Sequence, residues 1–316
     1  MIKTPDFFNI TIRNGVLYGY VIDVINRASE LVILAVGMTL VTAASGGQDI
    51  SVGAVMAVAA AVCCQILSGG ASSVTAYQNS LVLAVIAALL ASALCGAFNG
   101  LLVAKLNIQP MVATLILYTA GRGIAQLVTN GQITYIRVES FQMAGGYIGK
   151  SPVPTPVLFA IVTVVIAIIV VLIIAVLLKY FKFGRKLYAI GGNRQIALMM
   201  GLDVKKTMFR AYVLDGFLAG LGGFLFCLNS CAGFVEQAKG LEMDAISSAV
   251  IGGTLLSGGV GTPIGSMFGV LIKGTISSLI TAQGTLSSWW VRIVLSALLC
   301  FFIVIQSVLA SAKKKK

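Results

Sequence analysis

Apolar residues run along this chain in long blocks, at 31–45, 51–67, 81–105, 111–129, 157–178, 209–230, 244–258, 263–282 and 289–309. A helix that crosses a bilayer needs about 20 predominantly apolar residues, so the pattern predicts an all-α polytopic transmembrane bundle of about nine spans. The first block is short for a span, and it must borrow from its flanks or be a broken helix. Between the blocks lie uncharged or weakly charged loops, with one exception. The stretch 179–210 carries Lys179, Lys182, Arg185, Lys186, Arg194, Lys205, Lys206 and Arg210 against the single acid Asp203. Such a loop stays on the cytoplasmic side. Counting spans from it places the Lys313 to Lys316 tail inside, and the loops 69–79, 130–153 and 231–243 outside. It also places residues 1–29 outside, so the expected organisation is an extracytoplasmic segment 1–29, a transmembrane domain 30–312 with a cytoplasmic loop 179–208, and a basic tail 313–316.

Composition agrees with this pattern. A hydrophobic fraction of 58%, a mean hydropathy of +1.00 and 10% charged residues exclude an ordinary soluble globule, which carries about 25% charge. The net charge of +12 lies mostly in the 179–210 loop and the tail, where inside placement and anionic headgroups account for it. Aromatic and basic residues do not interleave, which argues against nucleic acid as a partner. With no histidine in the chain, the usual zinc sites and a serine–histidine relay are excluded. The six cysteines lie in or beside apolar blocks without metal spacing and read as small core residues. The one approach to a phosphate loop ends in Gly149-Lys150-Ser151, but Ala144 stands where its leading glycine is needed and Pro152 blocks the following helix. No metal, cofactor or enzymatic centre is expected.

Polar residues inside apolar blocks are the functional candidates. Gly46, Gly47, Gln48, Asp49 and Ser51 interrupt the boundary between the first two blocks, which predicts irregular backbone around an enclosed or wet cavity. Asp49 can act there, cap the helix that begins at Ile50, or do both. Arg122, flanked by Gly121 and Gly123, and Gln126 lie in the 111–129 block; Arg122 can snorkel to headgroups or serve an interface. Asp215 opens the 209–230 block beside a Gly216/Gly220 pair suited to close helix packing. Gly252-Gly253 and Gly258-Gly259 break the 244–282 region around a turn at Gly261-Thr262-Pro263. Asp49-Ile-Ser-Val-Gly and Asp244-Ala-Ile-Ser enter their spans from opposite sides, a faint inverted symmetry of the kind found in transporters. In the basic loop, a Gly191-Gly192 turn precedes a short helix from Asn193 to Met200, with Ile196, Met199 and Met200 on one face and Gly201 as its stop.

These residues resemble the permease subunits of ATP-binding-cassette sugar importers, of the ribose and galactofuranose type. The motifs are GMTLVTAASGGQDISVGAVMAV at 37–58, FNGLLVAKLNIQPMVATLILYTAGRGIAQLVTNGQI at 98–133, GRKLYAIGGNRQIALMMGLDV at 184–204, and AYVLDGFLAGLGG with LEMDAISSAVIGGTLLSGGVGT within 211–262. The stretches IDVINRAS at 22–29, IQPMVATLIL and GRGIAQLVTNGQI look most similar to the galactofuranose permeases.

The resemblance implies a multi-pass bacterial inner-membrane protein that imports a monosaccharide by alternating access. It implies as partners two copies of a cytoplasmic ATPase, an extracytoplasmic sugar-binding protein and a second permease, identical or different. It implies that Gly191, Gly192, Asn193, Arg194, Ala197, Met200, Gly201 and Lys205 form the region that seats in the ATPase. It also implies that Gly46, Gly47, Gln48, Asp49, Ser51, Asn99, Thr114, Arg122 and Gln126 belong to the translocation core. A neutral sugar needs hydroxyl and amide partners rather than counter-charges, which suits Gln48, Ser51, Asn99 and Gln126. The chain departs from the family pattern in three places. It starts without the family's usual first span, it has Gln48 where an aliphatic residue is usual, and it has Asp215 where a small one is. Two other readings compete: a branched-chain amino-acid permease of the same general plan, and an ion-coupled transporter using Asp49, Asp215, Asp244, Arg122 or Lys273 as a charge relay.

Overall fold

The computed structural model of the chain describes residues 8–9, 11–13, 16–144, 156–282 and 288–314. A hairpin of β1 (Thr11–Arg13) and β2 (Val16–Tyr18) leads into α1 (Tyr20–Ser45). This helix begins well before the apolar block at 31, because Val24, Ala28, Ser29 and Glu30 are themselves buried. The short first block therefore borrows from its N-terminal flank, and the expected segment boundary at 29/30 falls inside a helix. At its other end Gly46 adopts φ 64° and returns its N–H to the Thr42 carbonyl; this left-handed cap is costly for any residue with a side chain.

Helix α2 (Val52–Ser68) follows, built of Ala, Val and other small residues and buried along most of its length. Helix α3 (Leu81–Gly100) continues into a π-helical turn, Leu101–Lys105, before the chain reverses into α4 (Pro110–Val128). A short α5 (Glu139–Ala144) precedes α6 (Pro156–Tyr180). Val170, Val171, Ile174 and Leu178 of α6 are buried while Ile168, Ile169, Leu172 and Ile173 are exposed, so one face packs and the other is free for lipid. The Lys150 region lies outside the described residues.

The basic loop is mostly helical. Helix α7 (Lys182–Gly192) includes Gly191 and Gly192 as its last residues, so the expected turn at that doublet is helix, and α8 (Arg194–Met199) starts directly afterwards. Asn193 caps it, accepting from the Gln195 and Ile196 N–H groups at 3.0 and 3.1 Å. Helix α9 (Val204–Ser230) is capped by Asp203 and runs through the centre of the bundle, against α1, α2 and α3. Its glycines permit this approach: a Cβ on Gly216 would meet the Ser92 carbonyl and the Gly96 backbone, and one on Gly223 would meet the Met56 backbone. Helix α10 (Leu241–Ile251) is shorter than the expected span 244–258. At about 1.5 Å per residue it reaches roughly half-way through a hydrocarbon core. A glycine-rich turn then leads to α11 (Pro263–Ala282), and α12 (Ser288–Lys314) follows.

Seven of these helices are long and apolar enough to cross a membrane: α1, α3 with its π turn, α4, α6, α9, α11 and α12. With buried α2 and half-length α10 they make an all-α, multi-pass membrane bundle containing short, glycine-interrupted helices. The loops sort to two ends. At one end β3 (Ser73–Val74), β4 (Thr134–Ile136) and β5 (Ala232–Gly233) form a small sheet that joins the three loops expected outside. At the other end Arg194 donates to the Asn107 side chain at 2.5 Å and Gly259 donates to the Ala43 carbonyl at 3.0 Å, joining the segments expected inside.

Candidate functional site

The stretch from Gly46 to Ser51 is an irregular link between α1 and α2, held from three sides. Asp49 Oδ1 accepts from the Ser51 N–H at 2.7 Å and from the Ser51 hydroxyl at 2.6 Å, which turns the chain into α2. Asn99, in the last turn of α3, donates through Nδ2 to Asp49 Oδ2 at 3.2 Å and to Ser51 Oγ at 2.9 Å. Thr114 on α4 accepts from the Ile50 N–H at 3.1 Å. A Cβ on Gly47 would meet the Pro110 ring, and one on Gly46 would meet the Ser257 carbonyl at 2.9 Å. The link is thus compact enough to exclude side chains at both glycines.

Asp49, Ser51, Asn99 and Thr114 are all buried, none more than 3% exposed, while Gln48 is half-buried and Gly46 exposed. The first four therefore fix the link rather than face open space in this conformation. The fold brings together Gly46, Gly47, Gln48, Asp49, Ser51, Asn99 and Thr114, and it separates Arg122 and Gln126 from them. Those two lie roughly two and three turns further along α4, toward the end expected outside. Arg122 donates through Nη1 to the carbonyls of Val235 and of Gln237, the latter at 2.6 Å, with its guanidinium 5.9 Å from the centre of the Tyr118 ring. It ties the loop after β5 to α4 instead of snorkelling. Gln126 is exposed.

A second constellation sits at the end expected inside. In α8, Ala197 is buried against the body of the protein while Ile196, Leu198, Met199 and Met200 are all more than half exposed, with Met199 at 86%. Gly201 ends the segment at φ 71°, and Lys205 is exposed just beyond. Behind this helix, α7 meets the bundle through Gly191, where a Cβ would overlap the Ala43 carbonyl of α1 and the Gly259 nitrogen. Gly258 in turn lies against Gly46, and Tyr188 donates to the Gly261 carbonyl at 2.5 Å. Burial pushes the Tyr188 phenol above its ordinary range. This junction of Gly191, Gly46 and Gly258-Gly259 joins the exposed helix to the link before α2. Each glycine is visible singly in the sequence; their meeting is tertiary.

Two further polar groups lie within the bundle. Lys273 of α11 pairs with Asp244 in the first turn of α10 and donates to Ser247 Oγ at 3.2 Å. Thr39 of α1 shares a 2.6 Å hydrogen bond with Ser266 of α11. The two acids of the faint inverted symmetry therefore differ in role, since Asp49 turns a helix entry and Asp244 holds a lysine. Glu242 was not singled out from sequence. It is buried, both its oxygens accept from the Gly240 N–H at 3.1 Å, and it fills the space left by Gly53. Among the described residues no group of three or more His, Cys, Asp or Glu side chains is placed to hold a metal ion.

Comparison with known proteins gives a consistent result. The family model described as "Branched-chain amino acid transport system / permease component" matches residues 20–303. The inner membrane ABC transporter permease protein YjfF of Escherichia coli is 37% identical over 90% of this chain and 82% of its own length. The galactofuranose transporter permease protein YtfT of the same organism is 36% identical over 89% and 77%. The ribose import permease protein RbsC of Escherichia coli is 33% identical over 96% and 88%. No solved structure matches. With nearly all of the described bundle inside the matched region, and with relatives of this similarity covering most of both lengths, the chain belongs to this family of membrane-spanning transporter permeases.

Proposed function

We propose that this chain is the membrane-spanning permease of an ATP-binding-cassette importer that carries a monosaccharide across the bacterial inner membrane. One observation carries the reading: relatives named for galactofuranose, ribose and fructose import align over 89–98% of the chain at 33–36% identity. The geometry supports a route for coupling. Partner ATPases that close on ATP push on α8 through Ile196, Met199 and Met200. The displacement passes through the Gly191 junction to the end of α1 and the turn after α10, and the link at Gly46–Ser51 changes which side is open. Asp49, Ser51, Asn99 and Thr114 are positioning residues that hold that link, while Gln48 presents its amide nearer the open side. Arg122 and Gln126 belong to the outer entrance, where an extracytoplasmic binding protein delivers sugar. A second permease completes the pathway.

The competing substrate class is a branched-chain amino acid, as the family description allows. Proteoliposomes holding this chain with its partner permease, ATPase and binding protein decide between them. ATP inside the vesicles is expected to drive uptake of one labelled furanose or pyranose sugar, and leucine is expected not to compete. Competition by leucine would assign the amino-acid class. Uptake that follows an ion gradient without ATP would sink the importer reading altogether.

A further inference from the structure

Two of the six cysteines meet inside the bundle. Cys64 of α2 and Cys227 of α9 lie 163 residues apart in the chain, yet their Sγ atoms are 3.1 Å apart. Both are free thiols and both are fully buried. A position between two touching helices needs only a small apolar side chain, which alanine supplies elsewhere along α2; facing thiols add a chemistry that alanine lacks.

Close packing fixes the meeting. A Cβ on Gly223, one turn before Cys227, would meet the Met56 backbone, so the two helices touch there with no side chain between them. Both then run toward the same end: Cys64 is about one turn from the end of α2 at Ser68, and Cys227 about one turn from the end of α9 at Ser230. Over that end lies β5, where a Cβ on Gly233 would meet Cys64 Sγ at 3.0 Å. The small sheet thus closes over the pair, at the end of the molecule expected outside. Of the neighbouring cysteines, Cys231 turns back to donate to the Leu228 carbonyl at 3.5 Å, and Cys63 is buried beside Cys64 on α2.

We propose that Cys64 and Cys227 are an oxidation site, joined in the membrane by a disulfide that staples α2 to α9. The sulfurs of a disulfide are about 2.0 Å apart, so the pair has about 1 Å left to close. The proposal rests on the expected sidedness, since the extracytoplasmic side of a bacterial inner membrane is oxidising and the cytoplasm is not. The reaction is thiol–disulfide exchange with a disulfide-bearing oxidant of that side. The thiolate of one cysteine attacks a sulfur of the oxidant, forming a mixed disulfide and releasing the oxidant's other sulfur as a thiolate. The second cysteine's thiolate then attacks the chain's own sulfur in the mixed disulfide, and the oxidant's remaining sulfur leaves. Two electrons pass from the pair to the oxidant, and the two thiol protons end on its sulfurs. Exchange precedes closure of the sheet, because the folded pair is sealed from solvent, and for the same reason the bond resists reductants until the chain unfolds. Stapled here, α2 and α9 move as one body, which leaves rearrangement during transport to other places such as the Gly46–Ser51 link.

Thiol counting on the full chain tests this directly. Cells are quenched in acid, the protein is denatured, and free thiols are blocked with a maleimide before any reductant is added. Of the six cysteines, four are expected to take this first label, and a second label added after reduction is expected on Cys64 and Cys227. Cys63→Ala should keep the hidden pair, whereas Cys227→Ala should open all five remaining thiols to the first label. Recovery of the second label on Cys63 or Cys231, or a hidden pair that survives in Cys227→Ala, would overturn the proposal. So would six first labels on the unaltered chain: with Ser73→Cys, at the same end, reacting from outside the cell, that count refutes the bond itself, and with Ser73→Cys reacting only after permeabilisation it refutes the sidedness. Should a variant not accumulate, the count and the label positions in the unaltered chain still decide.

Discussion

Asn99 shows how much one side chain can fasten. Its amide donates to both Asp49 and Ser51, at 3.2 and 2.9 Å, and so closes the link between α1 and α2 against the end of α3. Asn99→Ala removes the donor from a buried carboxylate, and a buried group left without a partner costs about 1–3 kcal/mol, more when charged. The expected result is a lower unfolding midpoint in detergent, and Asn99→Asp should lower it further by placing another acid beside Asp49. A midpoint unchanged in both variants would show that the network does not support the link. At this scale the sequence was informative about residue type and poor about environment. A polar run in an apolar block singled out Asp49, although it does not cap a helix at Ile50: it turns the chain through Ser51, and α2 starts at Val52. That Asn99 and Thr114 come from other helices to the same turn could not be read from spacing. Nor could the partners of Arg122, which are backbone carbonyls of a distant loop and carry no side-chain signature.

The short helix α8 is where local sequence predicts structure best, because its determinants are local. Asn193 supplies the cap, Gly201 the left-handed stop, and the apolar side chains that do not pack inward stand out in solvent. Asn193→Ala removes two side-chain hydrogen bonds at the cap and should weaken this six-residue helix by about 1 kcal/mol, enough to fray it without unfolding the bundle. Met200→Asp leaves the helix formed but puts charge on the exposed apolar face. Both are expected to reduce ATP-driven uptake while normal amounts of protein reach the membrane, with Met200→Asp also lowering recovery of the ATPase in detergent pull-downs. Undiminished uptake in both would remove α8 from the coupling route. Elements shaped by distant contacts were less legible. Tyr20 to Glu30 contains Asp23, Asn26, Arg27 and Glu30 and does not look like a span. It is helical because its buried positions find partners, as when Glu30 accepts from Asn229 at 3.1 Å. The Gly191-Gly192 doublet looks like a turn, yet it stays helical because Gly191 is needed where α7 touches α1.

At the scale of the whole molecule, two independent observations agree on which loops share an end. Eight basic residues against one acid within 179–210 give the expectation, by the charge rule, that this loop lies inside. The fold then gathers Asn107, Arg194, Ala43 and Gly259 at that same end, and joins the loops 69–79, 130–153 and 231–243 by a small sheet at the other. Neither observation depends on the other, since one is a count of charges along the chain and the other a set of contacts in the fold. The exposed apolar faces fit this frame. Helix α12 is unburied over Trp289–Gln306, and α3 exposes Val82, Leu83, Ile86, Leu90 and Leu94 along its length, surfaces that lipid or another membrane subunit can cover. Single cysteines test the arrangement in intact cells. Ser73→Cys and Glu236→Cys are expected to react with a membrane-impermeant maleimide added outside, whereas Lys182→Cys and Met199→Cys should react only after permeabilisation, each measured against the unsubstituted chain. All four positions are exposed on the surface of the chain, and the gain of reaction on permeabilisation separates sidedness from cover by a partner. The reverse pattern would invert the topology, place α8 where no cytoplasmic ATPase can reach it, and so undo the coupling route whatever the substrate.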